Sequence, residues 1–212
     1  MTTCNEQTTS VSAIVLAGGY SRRMGTDKAF LSTLGQNHLT MIVDKLSLLS
    51  DDVAVIRRHD QVPIETTATV KYDVRPGEGP LAGLEAGLGT AKYEWVICLS
   101  VDVPFVRIEL LQYLLSLCLG KNKKTQAIIP ILEKQIYPMV SVYHTSCVSE
   151  IKNMLDRRNR RVLDLVNRLQ TRYVLQEEWE HADPEHDSFM MLNTQEDYDE
   201  MLRGRLTGGV TG

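Results

Sequence analysis

The chain has 212 residues, 43% hydrophobic and 24% charged, with a net charge of −4. That length builds one large domain with a substantial core, and the mild negative charge excludes a broad nucleic-acid-binding face while leaving room for local basic sites. No apolar run approaches the roughly 20 residues of a membrane span. Residues 1–10 are polar and lack the features of a secretory leader, so a cytoplasmic protein is expected.

Residues 1–10 and 204–212 read as disordered ends of a single domain over 11–203. Ser12, Ala13, Ile14 and Val15 form a short apolar run that predicts a buried strand. A glycine-containing basic segment follows over 16–28. Leu39, Ile42, Val43, Leu46 and Leu49 then mark one face of a helix. Strands are predicted over 52–56 and 69–72, and a helix after Pro80, a residue suited to a first helical turn. Residues 94–100 make a strongly apolar strand that ends before Asp102 and Pro104. Ile108, Leu111, Leu114, Leu115 and Cys118 recur at helical spacing. Alternating strands and helices predict an α/β fold, a mainly parallel, twisted, Rossmann-like sheet with helices on both faces. Segments 126–130, 131–137 and 139–143 are short and β-like, predicting a small antiparallel extension. Helices over 145–155 and 161–169, a last strand over 189–192 and a short helix from Thr194 complete the reading. The four cysteines, Cys4, Cys98, Cys118 and Cys147, form no CxxC pair. Cys98 reads as a small core residue.

Chemistry concentrates at the strand ends. The run Leu16, Ala17, Gly18, Gly19 through Lys28 carries Arg23 and Lys28 close to a turn of small residues. Backbone N–H groups can approach an anion closely there, and two cations can neutralise phosphates. The segment has neither P-loop nor dinucleotide-fold spacing, and Gly18-Gly19 alone is equally an ordinary turn. Asp102, beyond the 94–100 strand, is placed either to hold Mg²⁺ with phosphate oxygens and waters or to cap the following helix. Asp73 and the Pro- and Gly-rich run 75–83, including Pro80, Leu81 and Gly83, form either a rigid turn or a small-residue loop whose main chain reads a base edge. Asn193 and Thr194 open the last predicted helix, as caps or as site residues. Arg157, Arg158, Arg160 and Arg161 are the densest basic run, either a solvated loop or a phosphate grip.

The 16–28 pattern, with Asp102-Val103-Pro104-Phe105, the Gly79-to-Gly83 run and the 137–143 segment, resembles the MobA-like nucleotidyltransferases, and most of all the molybdenum cofactor guanylyltransferase family. The resemblance extends over about residues 12–202. It implies a nucleotide-diphospho-sugar-transferase-like fold, with a nucleotide-binding half over 11–120 and an acceptor-binding half over 121–203. It implies transfer of GMP from GTP to the phosphate of molybdenum-bearing molybdopterin, with Mg²⁺ as cofactor and neither nucleic acid nor membrane as partner. Molybdenum insertion proteins and molybdoenzyme chaperones are the further partners it suggests. The catalytic set would be Arg23, Lys28 and Asp102, with Asp102 on the metal. Leu16, Ala17, Gly18, Gly19, Lys28, Asp73, Pro80, Leu81, Gly83, Asp102 and Asn193 would surround the nucleotide. Leu-Ala-Gly-Gly with Gly-Pro-Leu-Ala-Gly marks relatives that take GTP, whereas those taking CTP usually carry Leu-Ala-Ala-Gly. Three departures stand out: Ile56-Arg57-Arg58 lacks the asparagine common at the end of the second strand, Leu192 replaces another asparagine, and Gln195 replaces a proline. Transfer to another small phosphate acceptor and non-catalytic GTP binding are the alternatives.

Overall fold

The computed structural model describes residues 10–18, 32–33, 36–75, 77–119, 124–192 and 197. In chain order the strands are β1 (Ser12–Leu16), β2 (Ser32–Thr33), β3 (Gln36–Asn37), β4 (Asp52–Arg57), β5 (Thr69–Tyr72), β6 (Trp95–Ser100), β7 (Ala127–Leu132), β8 (Gln135–Ile136), β9 (Val140–His144) and β10 (Thr171–Val174). The helices are α1 (His38–Ser47), α2 (Pro80–Gly89), α3 (Ile108–Ser116), α4 (Val148–Asp156), α5 (Val162–Arg168) and α6 (Gln176–Trp179).

One sheet runs β5-β4-β1-β6-β9-β7-β10. Strand β1 pairs in parallel with β4 and β6, and Leu16 lies opposite both Ile56 and Ser100. The carboxyl ends of these three strands therefore open on one edge, where α/β sheets bind ligands. Side chains alternate across the sheet. Ala13, Val15, Ile97 and Leu99 join α1 and α3 on one face, while Ile14, Val96 and Cys98 join α2, α4 and α5 on the other. Helices thus cover both faces, as the α/β reading requires. Helix α2 lies so close to β1 that a Cβ on Gly87 would stand 2.5 Å from Ile14 Cδ1.

The expected antiparallel extension is an inverted strand inside the sheet. β9 pairs antiparallel with both β6 and β7, while β7 and β10 are parallel. The inversion follows from a tight turn. Glu133 and Lys134 both have positive φ, 48° and 69°, between β7 and its hairpin partner β8, the geometry of a two-residue hairpin loop. Tyr137 N–H then donates to Pro130 O and Val140 N–H to Tyr137 O, returning the chain as β9.

The strand expected over 189–192 does not form. Asp183 accepts from the Asp187 and Ser188 N–H groups and curls the chain into a short 3-10 turn, Asp187–Phe189. Phe189 packs against Tyr137 and Trp179 instead of entering a ladder. Among the described residues the last strand is β10, an edge strand that the sequence reading did not anticipate, and α6 follows it. Cys98 is a buried core residue, as expected. Cys4, all of the two expected disordered ends except Ser10, and most of the helix expected from Thr194 lie outside the described residues.

Candidate active site

The glycine segment leaves β1 beside β4. Ala17 N–H donates to Ile56 O (2.9 Å), which carries the parallel ladder one residue past β1. Beyond β4, Arg58 and Gln61 turn back onto the segment: Arg58 Nη1 donates to Gly18 O (2.6 Å) and Gln61 Nε2 to Ala17 O (2.9 Å). At the end of β5, Asp73 N–H donates to Arg57 O (2.9 Å), which sets Asp73 beside the same loop. The next turn carries Gly77 and Gly79 at φ of 82° and 77°, left-handed values that favour glycine. Pro80 occupies the first turn of α2, and a Cβ on Gly83 would reach 3.2 Å from Leu16 Cδ2.

Together these residues enclose a cavity of about 360 Å³, lined by Leu16, Gly18, Arg58, Asp73, Gly79, Pro80, Gly83, Ser100 and Met139 among others. That volume lies within the range of small-molecule sites. Asp73 is 6% exposed, and its Oδ1 has no hydrogen-bond partner among the described residues. Burial raises its pKa above the usual carboxylate range, against the charges of Arg58 and His59. A buried acceptor of this kind favours a ligand that brings an N–H or O–H donor.

Asp102 lies two residues past β6, on the strand adjacent to that of Gly18, and is not among the residues lining the cavity. It does not cap α3, whose N-cap is Arg107, with the Arg107 N–H donating to Ser188 Oγ (2.9 Å). The turn after Asp102 is tied to α1, because Lys45 Nζ donates to Pro104 O (2.9 Å) and Val106 O (3.0 Å). Leu192 N–H donates to the Asp102 main-chain carbonyl (2.8 Å), so the segment just before Asn193 is tied to the Asp102 backbone. His38, at the start of α1, is 3% exposed; burial lowers its pKa while the Asp102 charge opposes the shift.

Leu16, Gly18, Asp73, Pro80 and Gly83 thus converge on one cavity. Ala17 and Leu81 are core residues, at 2% and 0% exposure, and neither is among the residues lining the cavity. Gly19, Arg23, Lys28 and Asn193 lie outside the described residues. In the arginine run, Arg160 forms a bidentate ion pair with Glu78 on the cavity-side turn and holds the Glu78 carboxyl below its usual range. Arg161 is near Asp164 (3.9 Å). The loop between α4 and α5 is therefore bound to the turn before α2, which differs from a wholly solvated loop. Arg58, Gln61 and Lys45 escaped the sequence reading; only the position of the first two, just past a central strand, hints at a role.

A mainly parallel sheet with Gly18, a buried Asp73 and a small-residue turn gathered at its carboxyl edge is the architecture of an α/β protein that binds its ligands there. The chain belongs to the MobA-like NTP transferase domain family, whose sequence model matches residues 13–176, and is thereby a nucleotidyltransferase. It is 31% identical to a molybdenum cofactor guanylyltransferase of Syntrophotalea carbinolica, over 91% of this chain and 90% of the relative. A probable molybdenum cofactor guanylyltransferase of Bacillus cytotoxicus is also 31% identical, over 91% of this chain and 96% of its own. Among solved structures, molybdopterin-guanine dinucleotide biosynthesis protein A from Archaeoglobus fulgidus superposes with a TM-score of 0.77 at 25% identity, covering 89% of this chain and 95% of that one. The 2-C-methyl-D-erythritol 4-phosphate cytidylyltransferase of Thermus thermophilus shares the fold, with a TM-score of 0.66 at 18% identity over 90% of this chain and 96% of its own.

Proposed function

We propose that this protein transfers GMP from GTP to the phosphate of molybdopterin bearing molybdenum, releasing pyrophosphate. The names of its relatives, molybdenum cofactor guanylyltransferases, support the reaction and its substrates. The observation that carries the reading is the cavity at the carboxyl edge, with a buried Asp73 acceptor and a wall of glycine main chain. A guanosine in that cavity offers N–H and O–H donors to Asp73, and the main chain of the 77–83 turn borders the base. The triphosphate then leads over Gly18 toward the end of β6.

In this reaction an oxygen of the acceptor phosphate attacks the α-phosphorus in line. The bond from that phosphorus to the bridging oxygen breaks, and pyrophosphate leaves with the electron pair. The acceptor is already an anion, so no strong base is required. Catalysis then consists of positioning and charge neutralisation, tasks we assign to Gly18, Gly19, Arg23 and Lys28. Asp102 fits a magnesium ion: it is a hard oxygen donor just past a strand end and is not the N-cap of α3, and such ions combine one or two carboxylates with phosphate oxygens and waters. Bound magnesium would neutralise phosphate charge as it builds in the transition state. Asn193 follows the segment tied to Asp102 and is assigned to the acceptor side.

Pyrophosphate release from GTP, measured with and without molybdenum-bearing molybdopterin, tests the proposal. Release that requires the acceptor is expected. Lys28→Ala and Asp102→Ala should each raise the barrier by about 3 kcal/mol while leaving the fold intact. Near-normal turnover in either variant, or transfer from CTP in preference to GTP, contradicts the assignment.

A further inference from the structure

We infer that Arg58 and Gln61 are positioning residues that brace the glycine segment for the triphosphate. The inference rests on the proposed role of that segment as the phosphate cradle.

A cradle for an anion must present N–H groups and keep carbonyl oxygens away, because each carbonyl facing a phosphate adds repulsion. Here the Ala17 and Gly18 carbonyls are both engaged from the β4 side, by Gln61 Nε2 at 2.9 Å and Arg58 Nη1 at 2.6 Å. The described peptide bonds are all trans. In a trans peptide the carbonyl and the next N–H point in opposite directions. Holding Ala17 O toward Gln61 therefore turns the Gly18 N–H away from the β4 loop.

The brace is itself fixed. Arg58 Nε donates to Asp60 Oδ1 (2.8 Å), and Arg58 N–H donates to Gln61 Oε1 (2.8 Å). The Arg58 side chain is only 12% exposed. A planar guanidinium held at two of its nitrogens sets a direction that a lysine ammonium cannot reproduce. The same guanidinium lies close enough to Asp73 to favour its ionised form, so one residue serves both the base end and the phosphate end of the cavity.

Equilibrium titrations of GTP and of guanosine against wild type, Arg58→Lys and Gln61→Ala test this, with a thermal melt to establish folding. Guanosine lacks phosphates and does not report on the cradle. Arg58→Lys keeps the charge, and Gln61→Ala changes none, so long-range attraction is held constant. GTP affinity should fall about tenfold in Arg58→Lys and about threefold in Gln61→Ala, with guanosine affinity unchanged within about twofold. Equal losses for both ligands, or no loss for GTP, overturn the brace. If Arg58→Lys does not fold, Gln61→Ala decides alone. A wild type that binds CTP and not GTP refutes the guanine reading, and the same ratio taken with CTP and cytidine then decides the brace. A wild type that binds neither nucleotide overturns both.

Discussion

Asp73 shows how a single residue carries both a cost and a use. Burial raises its folded-state pKa above the unfolded value of about 3.9. The stability linked to its protonated form is fully present below that value and is lost as pH rises through the folded pKa, so at neutral pH the carboxylate opposes folding. Asp73→Asn should therefore raise the melting temperature at pH 7, with the gain shrinking as pH falls toward about 4. The same change should weaken GTP binding by about tenfold, because the charged acceptor is lost. Melts across pH together with nucleotide titrations check both halves; a destabilised variant with full GTP affinity contradicts them. Asp73 could be singled out from the turn chemistry around it. Arg58 and Gln61 could not, because their bonds to Gly18 and Ala17 span 40 and 44 positions of sequence and leave no local signature.

At the scale of elements, the turn after β6 owes its geometry to α1. Lys45 reaches from that helix to the Pro104 and Val106 carbonyls, and Ser188 receives the Arg107 N–H from the opposite side. Burial lowers the Lys45 pKa, with the Arg107 charge adding to the shift and Asp187 and Glu109 opposing it. Lys45→Met should keep the aliphatic packing but leave two inward carbonyls without their donor, at about 1–3 kcal/mol of stability. Because Asp102 precedes that turn, turnover should also fall, by about tenfold, with GTP affinity less affected. A melt and a kcat measurement decide the point: a stable variant with normal kcat removes Lys45 from the account. Element boundaries were most legible where chemistry changes sharply. β4, β5, β6 and the start of α2 fall within a residue of expectation because apolar runs stop at Arg, Asp or Pro. β10 was missed because it is four residues long, lies at the sheet edge and leaves Arg172 exposed. Phe189 misled because an aromatic buried against Trp179 and Tyr137 resembles a strand residue in sequence.

Across the whole molecule, the topology concentrates function on one edge. β1, β4, β5 and β6 run in the same direction and finish together, so residues from 16 to 102 meet although they are far apart in sequence. The inverted β9 continues the sheet toward β7 and β10, while the Arg160–Glu78 pair and the Arg75 contacts to Glu85 and Asp156 join the later helices to the turn before α2. No helix among the described residues is long and apolar enough to cross a membrane. The family sequence model stops at residue 176, so Phe189, Leu192 and Asn193 fall beyond the match even though Leu192 is bonded to Asp102. A crystal structure with GTP and Mg²⁺ measures the central claim most directly. The account predicts guanosine in the cavity with a donor within hydrogen-bond distance of Asp73, and the phosphates running past Gly18 to Asp102. A nucleotide bound elsewhere, or phosphates directed away from Asp102, would contradict it.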